Sequence, residues 1–226
     1  MKRLLKLGIL ILLSLSVYFI YQKTKDTTIQ IMNVGDSLAL GINSYGVKDN
    51  GYIDFYIEEL KEKNIKVIDK YAKKDLTIDN LYTTIQNNNV MKRDLRESHQ
   101  LILCIGYNDL IYKLNLEENL NNNKFQRIMK EIEEEYNLLI KEITKYYKYP
   151  IIVIGYYSSN KEDYYLNKGI EELNNILEKT DNSTYIDTYD ILKNRQKYFS
   201  NPHSYYPNIL GYQRIAQKII TKTLEN

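Results

Sequence analysis

The chain has 226 residues, enough for one domain with a sizeable core and a short appendage. With 43% hydrophobic and 27% charged residues it reads as globular, and Lys+Arg 31 against Asp+Glu 29 leaves a net charge of +2 that gives no reason to expect a nucleic-acid partner. One cysteine and two histidines exclude a disulfide framework and a His/Cys zinc site, and no phosphate-cradling glycine pattern or Asp-rich calcium loop occurs, so neither cofactor nor metal is expected.

Residues 1–23 stand apart from the rest. Lys2, Arg3 and Lys6 precede an uncharged stretch from Leu7 to Gln22. The run is short for a membrane-spanning helix, which needs about 17–20 residues, and it just reaches that length when Leu4 and Leu5 are added and Lys6 snorkels. The rival reading is a cleaved signal peptide, for which Ser14-x-Ser16 is the one candidate small-x-small site. The bulky Val17-Tyr18-Phe19-Ile20-Tyr21 segment favours an uncleaved anchor. In either case the basic amino end stays in the cytoplasm and the remainder is extracytoplasmic. A polar tether at 24–27 leads into the domain expected over 28–226.

Ile29 to Val34 is an apolar run that predicts a buried strand. Gly51 to Leu60 has helical spacing, Lys66 to Ala72 reads as a second strand, and Leu76 to Ile85 as a helix with Leu76, Ile78, Leu81 and Ile85 on one face. Leu101 to Ile105 is continuously apolar, as a strand buried on both faces requires. A long acidic-basic helical region over 116–147 precedes a strand from Pro150 to Gly155. A helix from Tyr164 to Lys179 and a short strand from Thr184 to Thr188 follow. A loop from Lys193 to Pro207 leads to a last helix from about Asn208 to Leu224. Strands alternating with helices predict a doubly wound parallel five-stranded sheet in a three-layer α/β/α sandwich, preceded by the N-terminal hydrophobic helix.

Two stretches carry chemistry. Val34-Gly35-Asp36-Ser37-Leu38 leaves the first strand, so it puts a serine hydroxyl at the carboxyl edge of the sheet, where open α/β sheets hold their ligands. Gly106-Tyr107-Asn108-Asp109 ends another strand and brings a side-chain amide to the same edge. Each has a plainer reading, Asp36 or Ser37 as a helix cap and Asn108 as a turn residue. Together, in this order, they resemble two blocks of the SGNH, or GDSL, hydrolase family of serine esterases, lipases and carbohydrate deacetylases. The resemblance covers roughly residues 28–220.

That resemblance implies a flavodoxin-like SGNH fold and an ester hydrolase in which Ser37 is the nucleophile and Asn108 an oxyanion donor. Gly35, Asp36, Gly106 and Tyr206 are then expected around the substrate. Two departures stand out. The segment Tyr71-Ala72-Lys73-Lys74-Asp75-Leu76 lacks the glycine whose N–H the family uses as a third donor. The family also expects Asp-x-x-His shortly before Pro-Asn-x-x-Gly-Tyr. Here Pro207, Asn208, Gly211 and Tyr212 match, which puts Tyr206 in the histidine's slot and His203 in the aspartate's. His99 begins a strand roughly 20 Å long and sits at the opposite sheet edge, so His203 is the candidate base. Tyr206, with an ordinary value of about 10, is a poor one.

Two readings of different class follow. The first is a membrane-anchored, extracytoplasmic ester hydrolase acting on an acyl or acetyl group of an envelope glycan or lipid. The second is a catalytically impaired domain of the same fold that binds a surface glycan or partner, with Tyr205 and Tyr206 at its rim. A third, a regulatory domain in which Ser37 merely caps a helix, predicts that Ser37 and Asn108 do not converge.

Overall fold

The computed structural model describes residues 14, 28–60, 64–158, 163–201 and 204–224. Five strands, β1 (Ile29–Gly35), β2 (Ile65–Ala72), β3 (Gln100–Cys104), β4 (Ile151–Ile154) and β5 (Ser183–Ile186), form one parallel sheet in the order β2-β1-β3-β4-β5. The apolar runs of β1, β3 and β4 are buried nearly throughout, because helices cover both faces of a parallel sheet. The strand order reverses between β1 and β3, and this is the switch point at which such sheets open a crevice.

The helices are α1 (Ser37–Leu40), α2 (Tyr52–Leu60), α3 (Ile78–Asn87), α4 (Asn89–Glu97), α5 (Tyr107–Leu116), α6 (Asn122–Ile143), α7 (Tyr164–Glu178), α8 (Thr188–Ile191), α9 (Arg195–Tyr198) and α10 (Ile209–Leu224). On one side α10 packs on α2; on the other α3, α5, α6 and α7 pack on one another. This gives the expected α/β/α layering around a single core.

Side-chain caps explain where the elements depart from the expected ones. The helical region expected over 116–147 starts only at Asn122 as α6, where the Asn121 side chain accepts from the Lys124 N–H, and α5, which ends at Leu116, is an additional helix before it. Thr77 likewise starts α3 at Ile78, two residues later than the apolar pattern suggests. Asn88 ends α3 and caps the additional helix α4 through the N–H groups of Val90 and Met91. Within the expected loop from Lys193 to Pro207, Asn194 caps the short helix α9. The Asp187 carboxylate caps α8 and stops β5 at Ile186.

The hydrophobic helix expected within residues 1–23 lies outside the described residues, Ser14 apart. Among the described residues no helix is long and apolar enough to cross a membrane.

Candidate functional site

Strand register brings the site together. Gly35 pairs with Ala72 on one side and with Cys104 on the other, so the ends of β1, β2 and β3 are level. Two residues further along each chain stand Ser37, Lys74 and Gly106. The register of β1 on β2 shifts between Met32 and Val34, leaving one extra residue in β2, and this bulge sets which residue of the following turn faces Ser37. Gly35 permits the close approach. Its φ is +153°, and a Cβ there would lie 2.0 Å from the Cys104 carbonyl oxygen. Gly106, at φ +117°, makes the corresponding turn into α5. Neither glycine lines the cleft; both shape the backbone behind it.

Ser37 opens α1, and Asp36, not Ser37, is its cap: the Asp36 carboxylate accepts from the Leu38 N–H at 3.0 Å. That leaves the serine hydroxyl available, and it donates to the Lys74 main-chain carbonyl at 2.8 Å. The Asn108 amide donates to the same oxygen at 3.1 Å and to the Leu76 carbonyl at 2.9 Å. Ser37 and Asn108 thus converge on one oxygen atom, contrary to the expectation of the regulatory-domain reading. Lys74 is the element that sequence reasoning missed.

Asp36 lines the cleft, but its carboxylate is turned inward. It accepts from the Tyr156 hydroxyl at 2.5 Å, and the Cys104 thiol lies 3.9 Å away. Burial pushes its pKa from 3.8 up to about 6, against the pull of the Tyr156 and Leu38 hydrogen bonds. The Tyr156 phenol is pushed well up in turn, by burial first and then by the Asp36 charge. Asp109 is also buried. Both its oxygens accept from the Ile78 N–H at 3.1 Å, and burial raises it to about 7. Adjacent residues Asn108 and Asp109 therefore grip the chain at Leu76 and at Ile78.

The cleft has a volume of about 30 Å³ and is lined by Asp36, Ser37, Leu38 and Asn108 together with five tyrosines, residues 107, 156, 157, 205 and 206. Tyr107 stacks on Tyr156 with ring centroids 5.3 Å apart, and Tyr205 bridges Tyr107 and Tyr206 at 5.7 and 5.1 Å. The Tyr157 hydroxyl donates to the Tyr205 carbonyl at 2.9 Å, and Arg195 donates to the Ser158 and Ser204 carbonyls, which holds the segment after β4 against that carrying Tyr205. Tyr206, the residue in the histidine's register, interacts with Ser37. Burial raises its phenol above the ordinary value, with the Ser37 hydroxyl pulling the other way. His203 lies outside the described residues. His99 stands at the amino edge of the sheet, where its Nδ1 accepts from the Gln30 N–H at 3.1 Å, far from Ser37 along β1. Among the described residues no group of three His, Cys, Asp or Glu side chains is placed to hold a metal ion.

A serine hydroxyl and a side-chain amide meet at the switch point of a parallel sheet, an arrangement that suits a serine hydrolase of the three-layer type. The GDSL-like lipase/acylhydrolase family model matches residues 31–219. The chain belongs to this family, and is by that membership a serine ester hydrolase. Solved structures share its fold. One is a lipase from a goat rumen metagenome, with TM-score 0.73 and 21% identity over 86% of this chain and 97% of that one. Another is a catalytic mutant of an acetylxylan esterase from Geobacillus stearothermophilus, with TM-score 0.64 and 17% identity over 87% and 95%. A third is a member of the lipolytic G-D-S-L family from Veillonella parvula, with TM-score 0.62 and 16% identity over 88% and 100%. No curated protein matches the chain.

Proposed function

We propose that this protein is a membrane-anchored, extracytoplasmic esterase that removes a small acyl group, acetyl foremost, from an envelope glycan or lipid. Ser37 attacks the ester carbonyl. Asn108 and the Ser37 N–H hold the tetrahedral oxyanion, and His203 takes and returns the proton. The observation that carries the reading is the convergence of the Ser37 hydroxyl and the Asn108 amide on a single carbonyl oxygen, at 2.8 and 3.1 Å. A nucleophile that reaches a substrate's carbonyl carbon and a donor that reaches its oxygen have to lie this close together.

The size of the cleft supports a small acyl group. At about 30 Å³ the cleft is narrow, and the tyrosines that wall it are interlocked, which leaves no channel for a long acyl chain. One structure of the same fold is described as an acetylxylan esterase, which fits that size class. The tyrosine rim suits stacking on a sugar ring. The anchor and the extracytoplasmic address rest on the basic residues and uncharged stretch of the amino end.

A second reading, a binding protein with an impaired site, is favoured by one observation: Tyr206 stands beside Ser37 in the histidine's register. Hydrolysis of 4-nitrophenyl acetate and 4-nitrophenyl octanoate by the wild type, Ser37→Ala and His203→Ala separates the two. The esterase reading predicts turnover of the acetate well above that of the octanoate, lost in both variants. Equal rates for the wild type and Ser37→Ala with both esters favour the binding protein.

A further inference from the structure

The carbonyl on which Ser37 and Asn108 converge belongs to the protein itself. Lys73 O accepts from the Leu76 N–H at 3.3 Å, so Lys74 and Asp75 are the two central residues of a β-turn. The peptide between them is oriented with the Lys74 carbonyl inward. Among the described residues, positive φ outside glycine occurs only at Asn119 and Asn182, so Lys74 and Asp75 both have negative φ. That is the type I arrangement. A type II turn over the same four residues has this central peptide rotated by about half a turn, and it requires positive φ at its second central residue, here Asp75.

We propose that the Lys74–Asp75 peptide is a gate on the oxyanion site. At rest the Lys74 carbonyl occupies the place of the substrate's carbonyl oxygen. Productive binding turns the peptide, withdraws that carbonyl, and presents the Asp75 N–H as a further oxyanion donor beside Asn108. This rests on the esterase reading of Ser37.

The surroundings suit such a movement. Both ends of the turn are fixed independently of the central peptide. The Lys73 N–H donates to the Gly35 carbonyl at 2.9 Å, Asn108 holds the Leu76 carbonyl at 2.9 Å, and Asp109 holds the Ile78 N–H at 3.1 Å. Residues 73–75 are exposed, so no packed side chain opposes the rotation. Asn108 exchanges this acceptor for the incoming ester carbonyl, and the Ser37 hydroxyl exchanges it for the base that takes its proton. What holds the gate shut is the Cβ of Asp75, which disfavours positive φ by on the order of tenfold. The missing glycine of this segment thereby acquires a consequence: a glycine turn would open freely, and this one does not.

The test is kcat/KM for 4-nitrophenyl acetate with the full-length wild type, Asp75→Gly, Asp75→Asn and Asp75→Val, beside Ser37→Ala. Glycine should raise the rate on the order of tenfold, because the open fraction rises by that factor. Asparagine, which tolerates positive φ, should match or exceed the wild type, and valine should fall on the order of tenfold or more below it. Asparagine and valine both remove the carboxylate, so a pure charge effect would move them together. Thermal midpoints should stay close to wild type, since the turn is exposed. A wild type at the Ser37→Ala rate with Asp75→Gly above it also supports the gate. If the wild type exceeds Ser37→Ala but glycine is no faster or valine no slower, the gate is overturned and the esterase reading stands. If the wild type, Asp75→Gly and Ser37→Ala share one rate, both fall.

Discussion

Asp109→Asn should abolish a specific loss of stability between acid and mildly alkaline pH. Asp109 is 4% exposed, and both its oxygens accept from the Ile78 N–H at 3.1 Å. Burial pushes its carboxyl from 3.8 to about 7; the Ile78 N–H is the strongest opposing influence, Glu135 adds to the rise, and Lys113 opposes it. A group that binds its proton more tightly when folded stabilises the fold fully below its unfolded value. That contribution shrinks as pH rises and is lost above the folded value. The shift corresponds to about 4 kcal/mol, of which about 3 kcal/mol falls between about pH 4.5 and 8.5. Asparagine keeps an oxygen for the Ile78 N–H and does not titrate. The assay is urea unfolding of the full-length wild type and variant at both pH values, followed by circular dichroism. The stability of the variant relative to wild type should improve by about 3 kcal/mol from the lower pH to the higher. Asp36 titrates in both proteins and cancels. A difference that is the same at both pH values would refute the reasoning, because the carboxyl would then titrate as it does in water.

Two further outcomes are expected. Tyr156→Phe removes the 2.5 Å hydrogen bond that opposes the burial of Asp36. It should cost about 2 kcal/mol at about pH 8, where the carboxylate is charged, and clearly less at about pH 5, where it is protonated; equal losses at the two pH values in urea unfolding would contradict this. Gly35→Ala places a Cβ 2.0 Å from the Cys104 carbonyl oxygen at φ +153°. It should destabilise by more than about 3 kcal/mol or prevent folding, and a loss under about 1 kcal/mol would show that the sheet edge yields easily.

Much of the frame is legible in the sequence because its signals are local and strong. The strands follow from apolar runs such as Leu101 to Cys104, which have to be buried on both faces. The convergence of Ser37 and Asn108 follows from their positions just past the ends of two strands that flank the switch point. The misread elements are those decided by a single capping oxygen: Asn121 delays the start of α6 within the expected helical region, and Asn88 starts a helix that its polar composition hides. The Lys74 carbonyl was illegible for a different reason. It is a main-chain atom, so no residue type announces it, and its direction depends on a bulge in β2 and on the φ of two turn residues. Tyr205 and Tyr206 were expected at the rim, whereas Tyr107, Tyr156 and Tyr157 were submerged in a chain with 23 tyrosines. Position separates Tyr107 and Tyr156 from the rest, since each follows closely on the end of a central strand, at the same edge as Ser37.

The most direct measurement is covalent trapping of the serine. The full-length protein is incubated with a fluorophosphonate, digested, and the adduct located by mass spectrometry. The account predicts a phosphonyl group on Ser37, more rapidly acquired in Asp75→Gly and absent in Ser37→Ala. An adduct on another residue, or none in either the wild type or Asp75→Gly, would contradict the assignment of Ser37 as the nucleophile.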